Sequence, residues 1–165
     1  MPKNSVLIIV AILVLDRFTK WLVIQKIPLY SNISLIPGFF RLTHLENTGA
    51  AFSLFADSPS PWAARLLVLF SLMAVIVIST LLWKSKGILN FTTLSLALVL
   101  GGALGNLWDR LIYGHVTDFL DVYIGSYHWP PFNVADSAIV LGAVFLAGRA
   151  LFAPGKTEGG APPRK

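Results

Sequence analysis

Residues 66–78 contain nothing more polar than Ser71, and no soluble fold of modest size can hide such a run alongside three others like it. A helix needs about 20 apolar residues to cross ~30 Å of hydrocarbon. Four stretches approach or reach that length, at residues 5–24, 63–83, 91–108 and 134–152. Across the 165 residues, 55% are hydrophobic and 13% charged, with mean hydropathy +0.71. Soluble domains carry roughly 25% charged residues, so a water-soluble enzyme is excluded and a small integral membrane protein is expected. The net charge of +5 forms no basic stripe interleaved with aromatics, so no nucleic-acid partner is expected. With no cysteine, disulfides, thiolate metal sites and a Cys nucleophile are excluded. His44, His115 and His128 have no ligand-like spacing, and no P-loop or dinucleotide glycine pattern occurs. Neither a metal nor a cofactor is expected.

The connections are unequal. Nearly 40 residues separate the first two spans, residues 84–90 join the second and third, and about 25 precede the fourth. Four spans put both termini and the short loop on one side and both long connections on the other. The terminal side holds Lys3, Lys84, Lys86, Arg149, Lys156, Arg164 and Lys165 against Glu158. The opposite side holds six bases and seven acids, several of them inside motif-like clusters. By the positive-inside rule both termini are placed in the cytoplasm. The first span resembles a signal peptide in its Lys3 end and apolar core, but Asp16, Arg17 and Lys20 follow at once without a small-residue cleavage site. It is read as a retained helix. Residues 1–153 are read as one membrane domain, and the Gly- and Pro-rich residues 154–165 as a disordered cytoplasmic tail. In the first long connection, residues 33–36 and 39–45 are rich in β-branched and aromatic side chains around Pro37-Gly38. They predict a small sheet on the outer membrane face. The expected fold is therefore all-α: four transmembrane helices with a small extracytoplasmic β-sheet cradle between the first and second.

An ionisable group inside a span costs from about 2.5 to over 10 kcal/mol, and such groups face a bundle interior, a partner or water. Five polar clusters, inside the spans or beside them, matter on this account. Asp16 and Lys20 are four apart on one helix face and form, at the least, an intrahelical ion pair. Glu46-Asn47-Thr48-Gly49-Ala50-Ala51-Phe52 reads as a tight turn, or as a place where Asn47 hydrogen-bonds a peptide. Asn106, Asp109 and Arg110 share a face at i, i+3 and i+4, beside Gly101 and Gly105 at small-xxx-small spacing for helix packing. Asp118, with Asp121 close by, falls in a loop where a lone carboxylate is ordinarily solvated. Asn133 and Asp136 open the last span with the spacing of a capping box. All five lie on one side of the four-span arrangement at similar depth.

No Ser-His-Asp or Ser/Lys arrangement stands out. The outer side instead offers Asp16, Asp109, Asp118, Asp121 and Asp136, with Asn and Arg to orient them. Two carboxylates sharing a proton can hold a water between them, one as base and one as acid, because close like charges push their pKa values apart. Asp118 and Asp136 could converge in this way. A rival reading is a small transporter with the acids as a proton or cation path, although the acids cluster at one depth instead of crossing the membrane. A non-catalytic scaffold leaves the five clusters unexplained.

LDRFTK (residues 15–20), ENTGAAF (46–52), GNLWDR (105–110), VTDF (116–119) and FNVADS (132–137), in this order, resemble the signature blocks of the lipoprotein signal peptidase family, bacterial signal peptidase II. Arg17 stands where the family pattern has Gln, at a position to which no chemistry is assigned. The resemblance implies a four-helix aspartic endopeptidase of the bacterial inner membrane with an extracytoplasmic site. It would cleave a prolipoprotein before a cysteine carrying diacylglyceryl. By position, Asp118 and Asp136 would form the catalytic dyad. Asn47, Gly49, Asn106, Arg110, Asn133 and Ala135 would position substrate or brace the dyad, with Asp16, Lys20 and Asp109 in support. Implied partners are the prolipoprotein, membrane lipid and globomycin-type inhibitors, acting on a monomer. The substrate must enter sideways from the bilayer, so Phe39, Phe40, Phe52 and Phe55 are expected to cover the site from the interface. Asp121 is expected to be solvated and idle.

Overall fold

A computed structural model describes residues 1–49, 61–85 and 90–152. Four helices and four short strands make up these residues. Helix α1 runs Lys3–Lys26 and ends where Pro28 forbids its continuation. Strands β1 (Asn32–Ile36) and β2 (Phe40–Asn47) follow, then α2 (Pro61–Lys84) and α3 (Phe91–Ile112). Strands β3 (Val116–Ile124) and β4 (Tyr127–His128) lead into α4 (Val134–Phe152). The spans expected at residues 63–83 and 91–108 are each a few residues longer, and 134–152 agrees at both ends. Three helices, at 64–84, 91–112 and 134–152, are long and apolar enough to cross a membrane. Helix α1 differs because Asp16, Arg17 and Lys20 interrupt its apolar run. The expected tail and the lid residues Phe52 and Phe55 lie outside the described residues.

Helix α3 is the axis of the bundle. In its most apolar stretch 61% of residues are buried, against 6% in α2, whose side chains face outward almost all round. Glycine makes the close packing possible. A Cβ at Gly102 would fall on the Ala135 carbonyl, and one at Gly105 would meet Asp16 Oδ2 at 3.0 Å and the Ala135 methyl at 3.3 Å. Helix α4 therefore approaches α3 at backbone distance, and α1 lays the Asp16 side chain against it, as small residues allow between apolar helices. Ile9, Leu82, Leu96, Ala97 and Leu100 fill the core at one end. At that end Asn90 and Thr93 cap α3 reciprocally, at 3.0 and 2.8 Å. Val23, Ile27 and Phe119 join α1 to the sheet at the other end.

The sheet corrects the expected cradle. It is antiparallel in the order β1-β2-β3-β4, so half of it comes from the connection between α3 and α4 and not only from that between α1 and α2. Asp118 consequently sits in strand β3 and not in a loop. Between Leu42↔Leu120 and Leu45↔Asp118 the register of β2 gains one residue, a bulge at Thr43–His44. His44 uses the bulge to reach back, its Nδ1 lying 2.8 Å from the Ile27 carbonyl at the end of α1. A bridge from Leu120 to Phe132 then delivers the chain to the start of α4, beside Asp118.

Candidate active site

The N-terminus of α4 is the anchor. Asp136 N–H donates to Asn133 Oδ1 at 2.9 Å, and Asn133 N–H donates to Asp136 Oδ2 at 3.2 Å. The capping-box reading therefore holds. The same geometry frees the Asn133 amide nitrogen, which donates 2.8 Å to Asp118 Oδ1 and 3.3 Å to Asn106 Oδ1. One asparagine thus ties both carboxylates together, through its backbone to Asp136 and through its side chain to Asp118.

Two further amides complete the pair. Asn47, on the same face of the sheet as Asp118 and one step along β2, donates 2.9 Å to Asp118 Oδ2. Asn106 donates 2.7 Å to Asp136 Oδ1. Among the described residues each carboxylate accepts two N–H bonds from neutral groups, and no cation is hydrogen-bonded to either. Carboxylates only accept when ionised, which dictates which way each amide points. Asp118 is buried, whereas Asp136 is half-buried. Burial, and secondarily the negative charge of Asp136, push the Asp118 carboxyl up to about 7 against its amide hydrogen bonds and the more distant charge of Lys20. A carboxyl raised this far titrates near neutral pH instead of in the usual carboxylate range.

Arg110 lies next to this pair without bonding to it. Its guanidinium makes long contacts to the Gly49 carbonyl, 3.3 Å, and the Asn106 carbonyl, 3.5 Å, while its buried Nε has no partner among the described residues. Gly49 N–H in turn donates 2.9 Å to Asn47 Oδ1, so the Asn47–Gly49 turn is held at both ends.

Asp16 and Asp109 are instead held by cations. Lys20 Nζ uses three donors, 2.8 Å to Asp16 Oδ2, 2.6 Å to Asp109 Oδ2 and 3.3 Å to Asn106 Oδ1. Arg17 pairs with the other oxygen of Asp109 and lies 3.7 Å from Asp16. Asp16 Oδ1 accepts the Ala135 N–H at 3.1 Å, one residue before Asp136. The ion pair expected within α1 is therefore a junction of α1, α3 and α4. Arg17, to which no role was assigned, supplies the second cation that two enclosed carboxylates require. Its signal in the sequence was charge balance, because Lys20 alone leaves Asp16 and Asp109 one positive charge short.

Asp121 is a correction. It is buried and not solvated: Arg41, directly opposite on β2, donates 2.6 Å to Oδ2, and His128 Nδ1 lies 2.9 Å from Oδ1. Three residues along a strand turn a side chain to the opposite face, so Asp121 is covered but points away from Asp118. Tyr123 stacks on His128 and lies beneath Arg41, which completes a pin on that face. Phe39 is exposed at the β1–β2 turn.

Apolar helices gathered on α3, with an enclosed acid–amide network at one end, define a multi-pass membrane protein with a polar site at one end of its bundle. The model of the signal peptidase (SPase) II family matches residues 8–152. A lipoprotein signal peptidase from Solibacter usitatus is 48% identical over 82% of both chains. One from Francisella tularensis subsp. novicida is 42% identical over 94% of this chain and 97% of its own. A solved bacterial membrane enzyme superposes with a TM-score of 0.81 at 26% identity, covering 98% of this chain and 94% of that one. The chain belongs to the signal peptidase II family and is a protease.

Proposed function

We propose that this protein removes signal peptides from prolipoproteins, cutting before a cysteine that carries diacylglyceryl, with Asp118 and Asp136 as a proton-sharing pair that activates water. The observation that carries this reading is the pairing itself. Two carboxylates are joined through Asn133 and, among the described residues, hydrogen-bonded by neutral amides alone, with one of them raised to about 7. The ionised member takes a proton from water as the water oxygen bonds to the scissile carbonyl carbon, and the protonated member gives its proton to the carbonyl oxygen. Collapse of the tetrahedral intermediate breaks the C–N bond as a proton passes to the cysteine nitrogen. The products are a carboxyl-terminated signal peptide and the lipidated amine, and the pair again holds one proton. Asn47, Asn106 and Asn133 keep the two acids in register, and Arg110 lies within reach of a bound peptide carbonyl.

Helix α1 is read as the fourth span. Its charges face Asp109 and Asn106 inside the bundle and balance one another, which removes the cost that would keep them from the membrane. With seven bases on the terminal side, both termini face the cytoplasm of the inner membrane and the site opens outside it. The protein acts as a monomer, and globomycin-type inhibitors compete for the same site. Confinement of the acids to one end speaks against a conducting path.

The test is cleavage of a diacylglyceryl-modified prolipoprotein by purified protein in detergent with EDTA, for wild type, Asp118→Asn and Asp136→Asn. Wild type should release lipoprotein beginning at the modified cysteine, and both variants should bind precursor without cutting it. Wild-type inactivity, or full activity in either variant, would overturn the reading.

A further inference from the structure

A cavity of about 310 Å³ opens between the start of α2 and the end of α3, with Arg110 between it and the acid pair, at the small end of the range for ligand pockets. Thr48, Arg65 and Arg110 line it together with Leu67 and Val68. Its chemistry is graded. The donors stand at the outer end, and Leu67 and Val68 lie roughly 3 to 5 Å further along α2, at ~1.5 Å per residue. Arg110 forms a wall shared with the acid pair, since it lies one turn beyond Asn106, the residue that holds Asp136. Arg65 is a different matter. It is exposed near the start of the least buried helix and enters none of the ion pairs among the described residues. None of these described groups engages its charge, and it faces the same space as Arg110.

A ligand complementary to this space carries hydrogen-bond acceptors at one end and apolar chain at the other, and it sits next to the scissile bond. The diacylglyceryl group on the substrate cysteine has this form. Its ester carbonyls accept but do not donate, and its acyl chains continue toward the hydrocarbon along α2. We propose that Arg65 is a specificity-determining residue that hydrogen-bonds the glyceryl ester carbonyls of the substrate, seating the modified cysteine so that the scissile bond meets the acid pair. This rests on the prolipoprotein reading above and assigns a residue to recognition of the lipid.

The experiment compares kcat and KM for a precursor carrying ester-linked diacylglyceryl and for one carrying the ether-linked dialkylglyceryl, which lacks the carbonyls. Wild type, Arg65→Ala, Arg65→Gln and Arg65→Lys are assayed, with Tm measured for each. A lost hydrogen bond from a charged donor should raise KM for the ester substrate about tenfold in Arg65→Ala with kcat within about twofold, and Arg65→Lys should recover part of it. The ether substrate should show a comparable rise in wild type and no further rise in Arg65→Ala, because both changes delete the same contact. Arg65→Gln keeps much of the side-chain stem and carries the comparison should the alanine variant unfold. An unchanged KM, or ester and arginine effects that multiply independently, would refute the assignment. So would a KM change that follows anionic lipid in the micelle and not the ester. If wild type failed to cut the ester precursor at all, the function itself would be at fault, which is a separate outcome.

Discussion

Two pairs of aspartates lie within one polar cluster and are held in opposite ways. Asp118 and Asp136 accept from Asn47, Asn106 and Asn133, all neutral. Asp16 and Asp109 are gripped by Lys20 and Arg17. Amides orient a carboxylate without fixing its charge, so the proton can come and go. Ammonium and guanidinium groups fix both the position and the charge, which suits a rivet between helices. The sequence positions are alike, as each acid lies in a short polar block within or at the end of a helix or near the start of a strand. The partners decide which pair can do chemistry and which pair joins α1, α3 and α4. Asn106 and Lys20 link the two sets, so the rivet also locates the pair proposed to react.

The largest expected effect falls on the rivet. Lys20→Met leaves Asp16 and Asp109 enclosed with one of their two cations gone, and breaking a buried pair in this way costs about 3–5 kcal/mol. A sharp loss of thermal stability in detergent should be measured, whereas Asp118→Asn should keep its fold. Next comes pH. With Asp118 raised to about 7, the singly protonated pair persists at neutral pH and is lost above it. kcat/KM should then fall about tenfold per unit on the alkaline side. The sign for stability follows from the same shift. A carboxyl whose folded pKa is raised binds its proton more tightly than in the unfolded chain, so stability declines as pH rises from about 4 to about 7 and then levels off. Asp118→Asn should show a shallower decline in Tm over that window.

Smaller effects sharpen the contrast. Gly102→Ala would drive a methyl into the Ala135 carbonyl, pushing α4 from α3 and displacing Asp136 along with it. Its kcat should drop about tenfold or more, with a modest fall in Tm. Least affected should be Asp121→Asn. Its partners Arg41 and His128 are partly exposed and lie on the opposite face of β3 from Asp118, so processing should stay within about twofold of wild type. A large loss there would mean that the outer pin, and not only the amide network, sets the geometry of Asp118.

Helix positions were legible because apolar runs at membrane length have few other uses. The Asp16–Lys20 contact was legible because it is local, one turn of one helix. The capping box was legible for the same reason, and its second function, aiming Asn133 at Asp118, follows only once β3 is placed. What could not be read was pairing over long separations. The first outer connection showed its own hairpin, but nothing in residues 116–128 marked them as its continuation. The burial of Asp121 depends on Arg41 standing directly across the ladder, a matter of register and bulge. Arg17 was passed over because its partner Asp109 lies on another helix.

The central claim is that the amide-held acids carry the chemistry and the cation-held acids carry the fold. Single-turnover cleavage of a diacylglyceryl-modified precursor by Asp118→Asn, Asp136→Asn and Asp109→Asn, normalised to the folded fraction of each, tests it most directly. The first two should lose about 10³-fold or more in rate. Asp109→Asn should yield less folded protein whose folded molecules cut within about tenfold of wild type. A folded Asp109→Asn with no activity, alongside an active Asp118→Asn, would contradict the account.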